Sequence, residues 1–313
     1  MQLLSITQDN IEAYTAFRRE IANEEARRYY DRMDLATAIL TRGDDLVLQD
    51  ENGKMLASVM LSRNQNQDGS CYVRISIDGR SKNPNTLASW FRYVLRHETE
   101  TVVKVDTCFH AYNPPECALP SVEMADMGFA EVPGSYRYER KPGPPQTGEF
   151  PYASRAIELG YKAVILDDAT IASNPDIFEK LTEIYNHAFS IRGRVAPATP
   201  DGVRKSYEAD SNTMIIAKLD DEIVASTTLT NLGVSVLGPQ ISCLRKHWGT
   251  GVSDLICRLF TQIVADQWNL PIVAYAEAGN SASWRALERF GLVRNKEYMI
   301  WEKLVPAGQS FTL

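Results

Sequence analysis

The stretch that decides the fold is Arg245–Val252, which reads RKHWGTGV. The run before it, Ile241–Leu244, is strand-like, and Val252–Trp268 carries apolar residues at helical spacing. Glycines at positions 249 and 251 let a backbone approach a ligand closely. A strand-to-helix turn also leaves free N–H groups at the helix N-terminus, where the helix dipole favours an anion. The stretch therefore predicts a pyrophosphate-binding turn, with Arg245–His247 adding positive charge nearby.

A Gly-x-Gly turn by itself is more often a plain tight turn, so the downstream sequence matters. After the helix and a buried strand at Ile272–Tyr275 comes Asn280–Leu292, which reads NSASWRALERFGL. Asn280 is a helix cap, and Gly291 ends the helix as a left-handed residue. This segment resembles the closing motif of the GNAT superfamily of acetyl-CoA-dependent N-acyltransferases.

The loop is also similar to that family's Arg/Gln-x-x-Gly-x-Gly/Ala motif. Trp248 then stands at the first position, and Gly251 and Ser253 fill the last two. A shifted register puts Lys246 first, with Gly249 and Gly251 as the glycines. The resemblance covers most of residues 163–305, whereas residues 1–140 show it only in element order and in a Gly-Phe ending. The family includes two-lobed members, in which one lobe commonly keeps the chemistry.

A Pro/Gly-rich segment, Lys141–Gly148, cannot continue a helix or a sheet ladder and is interpreted as a linker. The halves on either side share one order of elements, which indicates internal duplication. The resemblance implies an α/β fold of mixed, α+β-like character: two tandem GNAT-type lobes, each a mixed, mostly antiparallel twisted sheet flanked by helices. We assign residues 1–140 to a degenerate N-terminal lobe, 141–151 to the linker and 152–313 to an acyl-CoA-binding lobe.

Hydrophobic periodicity and turn residues predict the individual helices and strands. In the first half these are a helix over Asn10–Tyr30, strands at Leu46–Leu48, Met55–Leu61, Cys71–Ile77, Thr101–Val105 and Ser135–Tyr138, and helices over Leu87–Leu95 and Glu116–Met127. In the second half they are helices over Asp176–Phe189 (capped by Asn174), Pro200–Glu208, Val252–Trp268 and Ser281–Phe290, and strands at Thr213–Lys218, Ile223–Leu229, Ile241–Leu244, Ile272–Tyr275 and Tyr298–Trp301.

The equivalent loop of the first lobe, Asp78–Asn85, is a poor phosphate site. It has one glycine, and Pro84 removes an amide donor. Arg80 and Lys82 are interpreted as solvated charges. This lobe is therefore expected to pack against the second and shape the acceptor site rather than bind CoA.

Composition excludes several functional classes. The 313 residues carry a net charge of −7, which argues against nucleic acid and anionic membranes as partners and is compatible with a small cationic amine. The five cysteines form no CxxC pair and the four histidines are dispersed, so we predict no metal site and a reducing compartment. With no signal peptide and no apolar run of membrane-spanning length, the protein is expected to be cytoplasmic.

The resemblance also implies site residues, and the sequence departs from the family at two of them. Leu287 stands where the family keeps a tyrosine that protonates the leaving thiolate, and leucine cannot donate a proton. The strand Ile241–Leu244 carries no carboxylate to act as general base. The remaining catalytic candidates are Glu277, Tyr298 and Tyr275, although a solvated carboxylate and two packing aromatics are the more common roles for such residues. Predicted CoA contacts are Cys243, Leu244, His247, Trp248, Gly249, Thr250, Gly251, Val252, Ser253, Asn280 and Ser283.

The function predicted from the resemblance is N-acyl transfer. Acetyl would pass from acetyl-CoA, with no metal, to a primary amine of a small molecule by direct attack in a ternary complex, with the C-terminal lobe active. One alternative is a CoA-binding pseudoenzyme, acting as a sensor or interaction subunit. Others are an O- or S-acyltransferase on the same fold and a two-domain binding protein without CoA, in which the loop is only a turn.

Overall fold

A computed structural model describes residues 1–65, 68–99, 104–113, 117–189 and 197–309. The chain divides into two compact units, one of Met1–Ser135 with Glu297–Leu313 and one of Tyr136–Lys296. The boundaries assigned from sequence put residues 297–313 in the second lobe instead. The difference arises because Met299–Val305 pairs with Thr107–Asn113, a strand of the first unit. As the limits of functional domains, the sequence boundaries stay a prediction.

The first unit is a mixed sheet with helices around it. Its helices are α1 (Ile11–Ile21), α2 (Glu24–Tyr30), α3 (Leu35–Arg42), α4 (Pro84–Thr99) and α5 (Ser121–Asp126). Its strands are β1 (Gln2–Ser5), β2 (Asp45–Gln49), β3 (Met55–Gln65), β4 (Cys71–Gly79) and β5 (Thr107–Asn113). The strands follow the order β1-β2-β3-β4-β5, and β4 and β5 form the parallel pair. Alternate residues of β3 and β4 are buried against α4, as strand geometry requires.

Three of the elements predicted for the first half differ in the structure, and β1 and α3 have no predicted counterpart. The helix expected over Asn10–Tyr30 is two helices, because Asn23 leaves the helical conformation and its side chain accepts from the Ala26 amide to start α2. The strand expected over Thr101–Val105 lies mostly outside the described residues, and β5 follows it at Thr107. The helix expected from Glu116 begins only after Pro120, and Glu116 itself lies outside the described residues.

The second unit repeats the scheme. Its helices are α6 (Ala153–Glu158), α7 (Asp168–Ser173), α8 (Ile177–Phe189), α9 (Pro200–Glu208), α10 (Val252–Gln267) and α11 (Ser281–Arg289). Its strands are β7 (Tyr161–Ile165), β8 (Asn212–Leu219), β9 (Glu222–Asn231), β10 (Val236–Leu237), β11 (Ser242–Cys243) and β12 (Ile272–Glu277). Strands β6 (Ala130–Arg140) and β13 (Val293–Val305) each run from one unit into the other. The predicted fold class, two lobes with mixed sheets flanked by helices, is confirmed.

The predicted cap at Asn174 is wrong. Its side chain donates to the Thr170 carbonyl at the end of α7, so it closes the preceding helix instead of opening α8. The Lys141–Gly148 segment has no helix or strand, as expected of a linker, yet it is held in place. The Arg140 guanidinium donates to the carbonyls of Lys141, Gly143 and Pro144 and pairs with Glu149 at 2.9 Å.

The sheet of the second unit opens where β10 gives way to β11. Val236 and Leu237 of β10 pair with β9 on one side and, in parallel, with β12 on the other. The Gly238 amide still donates to the Val273 carbonyl at 2.9 Å. Ser242 and Cys243 then pair with β9, and no described residue of β12 pairs with them. The β12-facing edge of β11 therefore lacks a partner strand and can pair with an extended ligand, although the Trp248 indole N–H already donates to the Cys243 carbonyl there.

Candidate functional site

The loop between β11 and α10 is held open by glycine. Gly251 is the N-cap of α10 at φ +92°, and a Cβ there would lie 2.2 Å from the Tyr152 carbonyl oxygen. No other residue fits both the backbone angle and the contact. Gly249, at φ +74°, has nothing within 4 Å of the corresponding point. The loop is therefore tightly packed at Gly251 and open to solvent at Gly249.

The first turn of α10 presents amide groups without protein acceptors. The Leu255 amide makes the first helical bond, to the Gly251 carbonyl at 3.0 Å. Before it, the Val252 amide has only a long bond of 3.4 Å to the Thr250 hydroxyl. The amides of Ser253 and Asp254 have no acceptor in the described part of the chain. Because Gly251 has no side chain to cap the helix, this positive end of α10 is available to an anion.

These amides border a cleft of about 380 Å³ that lies within the second unit. Five predicted contact residues line it: His247, Gly249, Gly251, Val252 and Ser253. Four further residues line it that the sequence analysis did not single out: Tyr152, Arg155, Asp254 and Arg289. Tyr152 and Arg155 precede the loop by about a hundred residues of sequence, and no motif spacing links them to it. Only the packing of α6 beside α10 brings them there.

The positive charge of the cleft has a different source from the one expected. Arg155 is exposed and forms no ion pair with the described residues. Arg289 pairs with the buried Asp254 at 3.0 Å, which neutralises a carboxylate that would repel an anion at the start of α10. Together the three side chains leave a net positive charge beside the free amides.

The expectation that Arg245–His247 supplies this charge needs correction. The His247 ring is buried, which lowers its pKa below the ordinary value, so the ring is neutral at pH 7. Its Nδ1 lies 2.7 Å from the Tyr161 hydroxyl, and its buried Nε2 has no hydrogen-bond partner among the described residues. Lys246 pairs with Glu222 at 2.6 Å. Arg245 lies over the Trp248 ring at 5.6 Å.

The other predicted loop residues shape the backbone. The Thr250 hydroxyl donates to the His247 carbonyl at 2.7 Å, and the Trp248 indole N–H donates to the Cys243 carbonyl at 3.1 Å. The Leu244 amide donates to the Val224 carbonyl and extends the pairing of β11 with β9. Burial raises the pKa of the Cys243 thiol to about 11, so it stays protonated at neutral pH and is not a nucleophile.

The start of α11 behaves as its sequence predicts. Asn280 accepts from the Ser283 amide at 3.3 Å and donates to the Ser283 hydroxyl at 2.5 Å, so both side chains form a helix cap. Leu287 is buried in the core of the second unit. A packing role explains it fully.

The three candidate acid/base residues lie in different settings. Tyr275 and Glu277 are on the same face of β12, and both are exposed. Tyr298 is buried and belongs to the first unit, where its ring stacks on Tyr112 at 5.2 Å between centroids. A catalytic role for any of the three stays a prediction.

Two other kinds of site have no candidate in the described part of the chain. Within the described ranges, no three or more His, Cys, Asp or Glu side chains are placed to hold a metal ion. The described helices likewise include none long and apolar enough to cross a membrane.

Comparison with known proteins gives matches in structure only. No family model matches the sequence, and no curated protein matches it either. Among solved structures, the chain is similar to a GCN5-related N-acetyltransferase from Sphaerobacter thermophilus, with a TM-score of 0.64 and 12% identity over 99% of this chain and 97% of that chain.

Two further solved structures have a similar fold. A tandem GNAT protein from the clavulanic acid biosynthesis pathway, solved without AcCoA, has a TM-score of 0.60 and 12% identity over 99% of both chains. A putative acetyltransferase from Pyrococcus horikoshii has a TM-score of 0.56 and 11% identity over 98% of this chain and 90% of that chain. The resemblance drawn from sequence is thus confirmed at the level of architecture: the chain has the fold of the GNAT N-acetyltransferases, in the tandem form.

Proposed function

We propose that this protein is an acyltransferase that uses acetyl-CoA and a primary amine of a small molecule. Its second unit would bind the donor and carry out the transfer. The observation that carries the proposal is the start of α10, where the free amides of Ser253 and Asp254 border a cleft that also contains Arg155 and Arg289. A pyrophosphate matches this arrangement in both charge and hydrogen-bonding capacity.

The opening beside β11 supports a place for the rest of the donor. A pantetheine arm contains amide groups, which can pair with a free strand edge as another strand would. Held there, its thioester would lie near Ser242 and Cys243, the residues that have no partner on β12. Backbone amides of this edge would then hydrogen-bond the thioester carbonyl and stabilise the charge that develops on its oxygen.

The transfer would proceed with few protein acids and bases. The amine nitrogen attacks the thioester carbon, a C–N bond forms and the C–S bond breaks. The thiolate leaves with the proton that the nitrogen loses, carried by water or by a side chain still unassigned. Since Leu287 cannot donate a proton and the protonated Cys243 thiol is neither a base nor a nucleophile, alignment of the two substrates would supply most of the rate.

The first test is isothermal calorimetry with acetyl-CoA, on the wild type and on Gly249→Trp. The indole that this substitution introduces would enter the cleft without meeting protein atoms near the backbone. We expect measurable binding by the wild type and none by the variant. The matched control is Gly53→Trp in the turn between β2 and β3, because Gly53 has a similar φ of +77° and equally open surroundings. Equal loss in both variants, or no binding by the wild type, would refute the proposed donor site.

Buried Leu287 favours a second candidate, a CoA-binding pseudoenzyme. Turnover separates the two: acetyl-CoA is incubated with amine, alcohol and thiol acceptors, and release of free CoA is followed. Acceptor-dependent release with amines supports N-acyl transfer. Release only with alcohols or thiols would assign O- or S-acyl transfer, and binding without release under any condition would assign the pseudoenzyme.

A further inference from the structure

The second unit contains another cavity, of about 320 Å³, on the side of the sheet that faces α8 and α9. Ser226, Thr228 and Thr230 alternate along β9 and therefore face the same side. They line the cavity together with Ser242 of β11, whose Cα is paired with that of Ser226. The cavity thus reaches the strand on which the proposed donor thioester would lie.

The hydroxyl groups of this wall are not used by the fold. None of the side chains of Ser226, Thr228, Thr230 and Ser242 makes a hydrogen bond to another described residue. Ser242 is only 2% exposed, yet its hydroxyl oxygen is not fully enclosed by protein atoms. Ser242 is buried and Ser226, Thr228 and Thr230 are half-buried, so their hydroxyls are available to a ligand with matching polar atoms.

The helix side of the cavity is mostly apolar, with Leu181 and Tyr185 of α8 and Val203 of α9 next to the hydroxyls of Thr199 and Ser206. On the sheet side, Met214 and Leu237 lie directly beside Thr228 and Thr230. Burial raises the pKa of the Tyr185 phenol, so this side chain stays a neutral hydrogen-bond donor. A row of hydroxyls along β9 and β11, within an otherwise mostly apolar lining, suits a flat, mostly apolar molecule with polar groups along one edge.

No Asp, Glu, Lys, Arg or His is among the described residues that line the cavity. An alkylamine with a basicity like that of lysine is almost entirely cationic at pH 7, with fewer than about 1 molecule in 1,000 neutral. Moving that cation into a cavity whose described lining carries no charge is unfavourable, because no carboxylate of that lining replaces its hydration. The strand Ile241–Leu244 also carries no carboxylate that could deprotonate it.

A weakly basic nitrogen avoids both difficulties. In an aromatic amine the lone pair is delocalised into the ring, so the nitrogen is already uncharged at neutral pH and needs no general base before it attacks. We propose that, if the second unit is the acyltransferase argued above, its acceptor is an uncharged aromatic amine held by the hydroxyls of Ser226, Thr228, Thr230 and Ser242. This replaces the small cationic amine suggested by the net charge alone.

The proposal is tested with two constitutional isomers, 2-(4-aminophenyl)ethanol and tyramine. They have the same atoms and a similar length, but the nitrogen is aromatic and neutral in the first and alkyl and cationic in the second. Binding of each to the full chain is measured by calorimetry at pH 7, and kcat/KM for acetyl transfer is measured with acetyl-CoA. We expect the aromatic amine to bind at least about tenfold more tightly and to have the higher kcat/KM. Equal or tighter binding of tyramine would overturn the proposal, as would turnover of tyramine alone or turnover of neither isomer by a protein that binds acetyl-CoA.

A variant with a charged side chain in the cavity wall gives a second test. Thr228→Asp adds a carboxylate beside the cavity, so tyramine should gain affinity and the aromatic amine should lose it. The control is Thr213→Asp on β8, because Thr213 precedes the cavity-lining Met214 and points to the opposite face. The control should keep the wild-type preference, and the same shift in both variants would contradict the assignment of this cavity. Because isomer binding is measured without acetyl-CoA, a chain that fails to bind acetyl-CoA loses the proposed function but still tests the cavity.

Discussion

The two units begin their equivalent long helices in opposite ways. In the first unit, Asn83 precedes α4 and its side chain accepts from the amides of Asn85 and Thr86, while Pro84 has no amide to offer. In the second unit, Gly251 precedes α10 and caps nothing. The amides at the start of α4 therefore have an acceptor within the protein, whereas those at the start of α10 need an external acceptor.

The two units also differ in the charged side chains and in the free space near these helix starts. In the first unit Arg80 pairs with Glu20, Lys82 pairs with Asp78, and a Cβ on Gly79 would lie 2.5 Å from the Trp90 ring. In the second unit Arg155 forms no ion pair with the described residues, and Gly249 has open space around it. The comparison teaches that, in a duplicated fold, a binding unit is recognised by the groups its own structure leaves unsatisfied.

The largest effect is expected from Arg289→Ala. It leaves the carboxylate of Asp254, whose side chain is 2% exposed, buried without its cation, and this should lower the free energy of unfolding by about 3–5 kcal/mol. Removing the cap of the other helix by Asn83→Ala should cost only about 1 kcal/mol. Urea unfolding of both variants measures the difference.

The double variant Arg289→Ala/Asp254→Asn serves as the control for the buried charge. It should recover a large part of the lost stability, because the unpaired carboxylate is gone. If it is no more stable than Arg289→Ala, the loss comes from packing of the arginine over Tyr152 and not from charge.

The next effect is expected from Ser253→Asp at the second position of α10. A carboxylate there would occupy the free amides and repel phosphate groups, so acetyl-CoA should bind about 10- to 100-fold more weakly. Stability should hold or rise slightly, since acids favour a helix N-terminus. Calorimetry measures the loss of acetyl-CoA affinity, and thermal unfolding measures the change in stability.

Asn85→Asp makes the same kind of change at the second position of α4, in the first unit. It should leave acetyl-CoA affinity within about twofold of the wild type. A comparable loss from both variants would mean that the two helix starts share the binding and that the contrast between the units is false.

The smallest effect is expected from Arg155→Ala. Arg155 is exposed, so its attraction to a phosphate is screened, and the affinity for acetyl-CoA should fall about three- to tenfold. Repeating the titration at higher salt should reduce the gap between wild type and variant. Arg80→Ala in the first unit should change nothing, because Arg80 already has Glu20 as its partner.

Local sequence patterns predicted much of this architecture, because many of its helix ends and turns are determined by residues close to them in the sequence. The glycine turn before α10, the Asn280 cap and the β8–β9 hairpin each depend on neighbouring residues, and the structure has all three. The break between α1 and α2 was not predicted, because an asparagine can lie within a helix as well as cap one. The structure shows that the Asn23 side chain accepts from the Ala26 amide and so begins a second helix.

The site was predicted less completely, for reasons of distance. Arg155 and Tyr152 reach the cleft only through the packing of α6, and the hydroxyl wall of the second cavity needs the register of β9 with β11. Burial can also remove a charge that the residue type alone would suggest. His247 was expected to add a positive charge, but its enclosure keeps the ring neutral.

The pairing of β5 with β13 has a consequence for how this protein is made. Thr107 lies opposite Val305 in that ladder, so the partner of β5 is translated only after the whole second unit, Tyr136–Lys296. Throughout translation of the second unit, β5 remains a sheet edge with unpaired backbone groups, the kind of surface on which nascent chains associate wrongly. The first unit to be translated is thus the later one to complete its sheet, and deleting Met299–Val305 would remove a strand from the N-terminal half of the molecule.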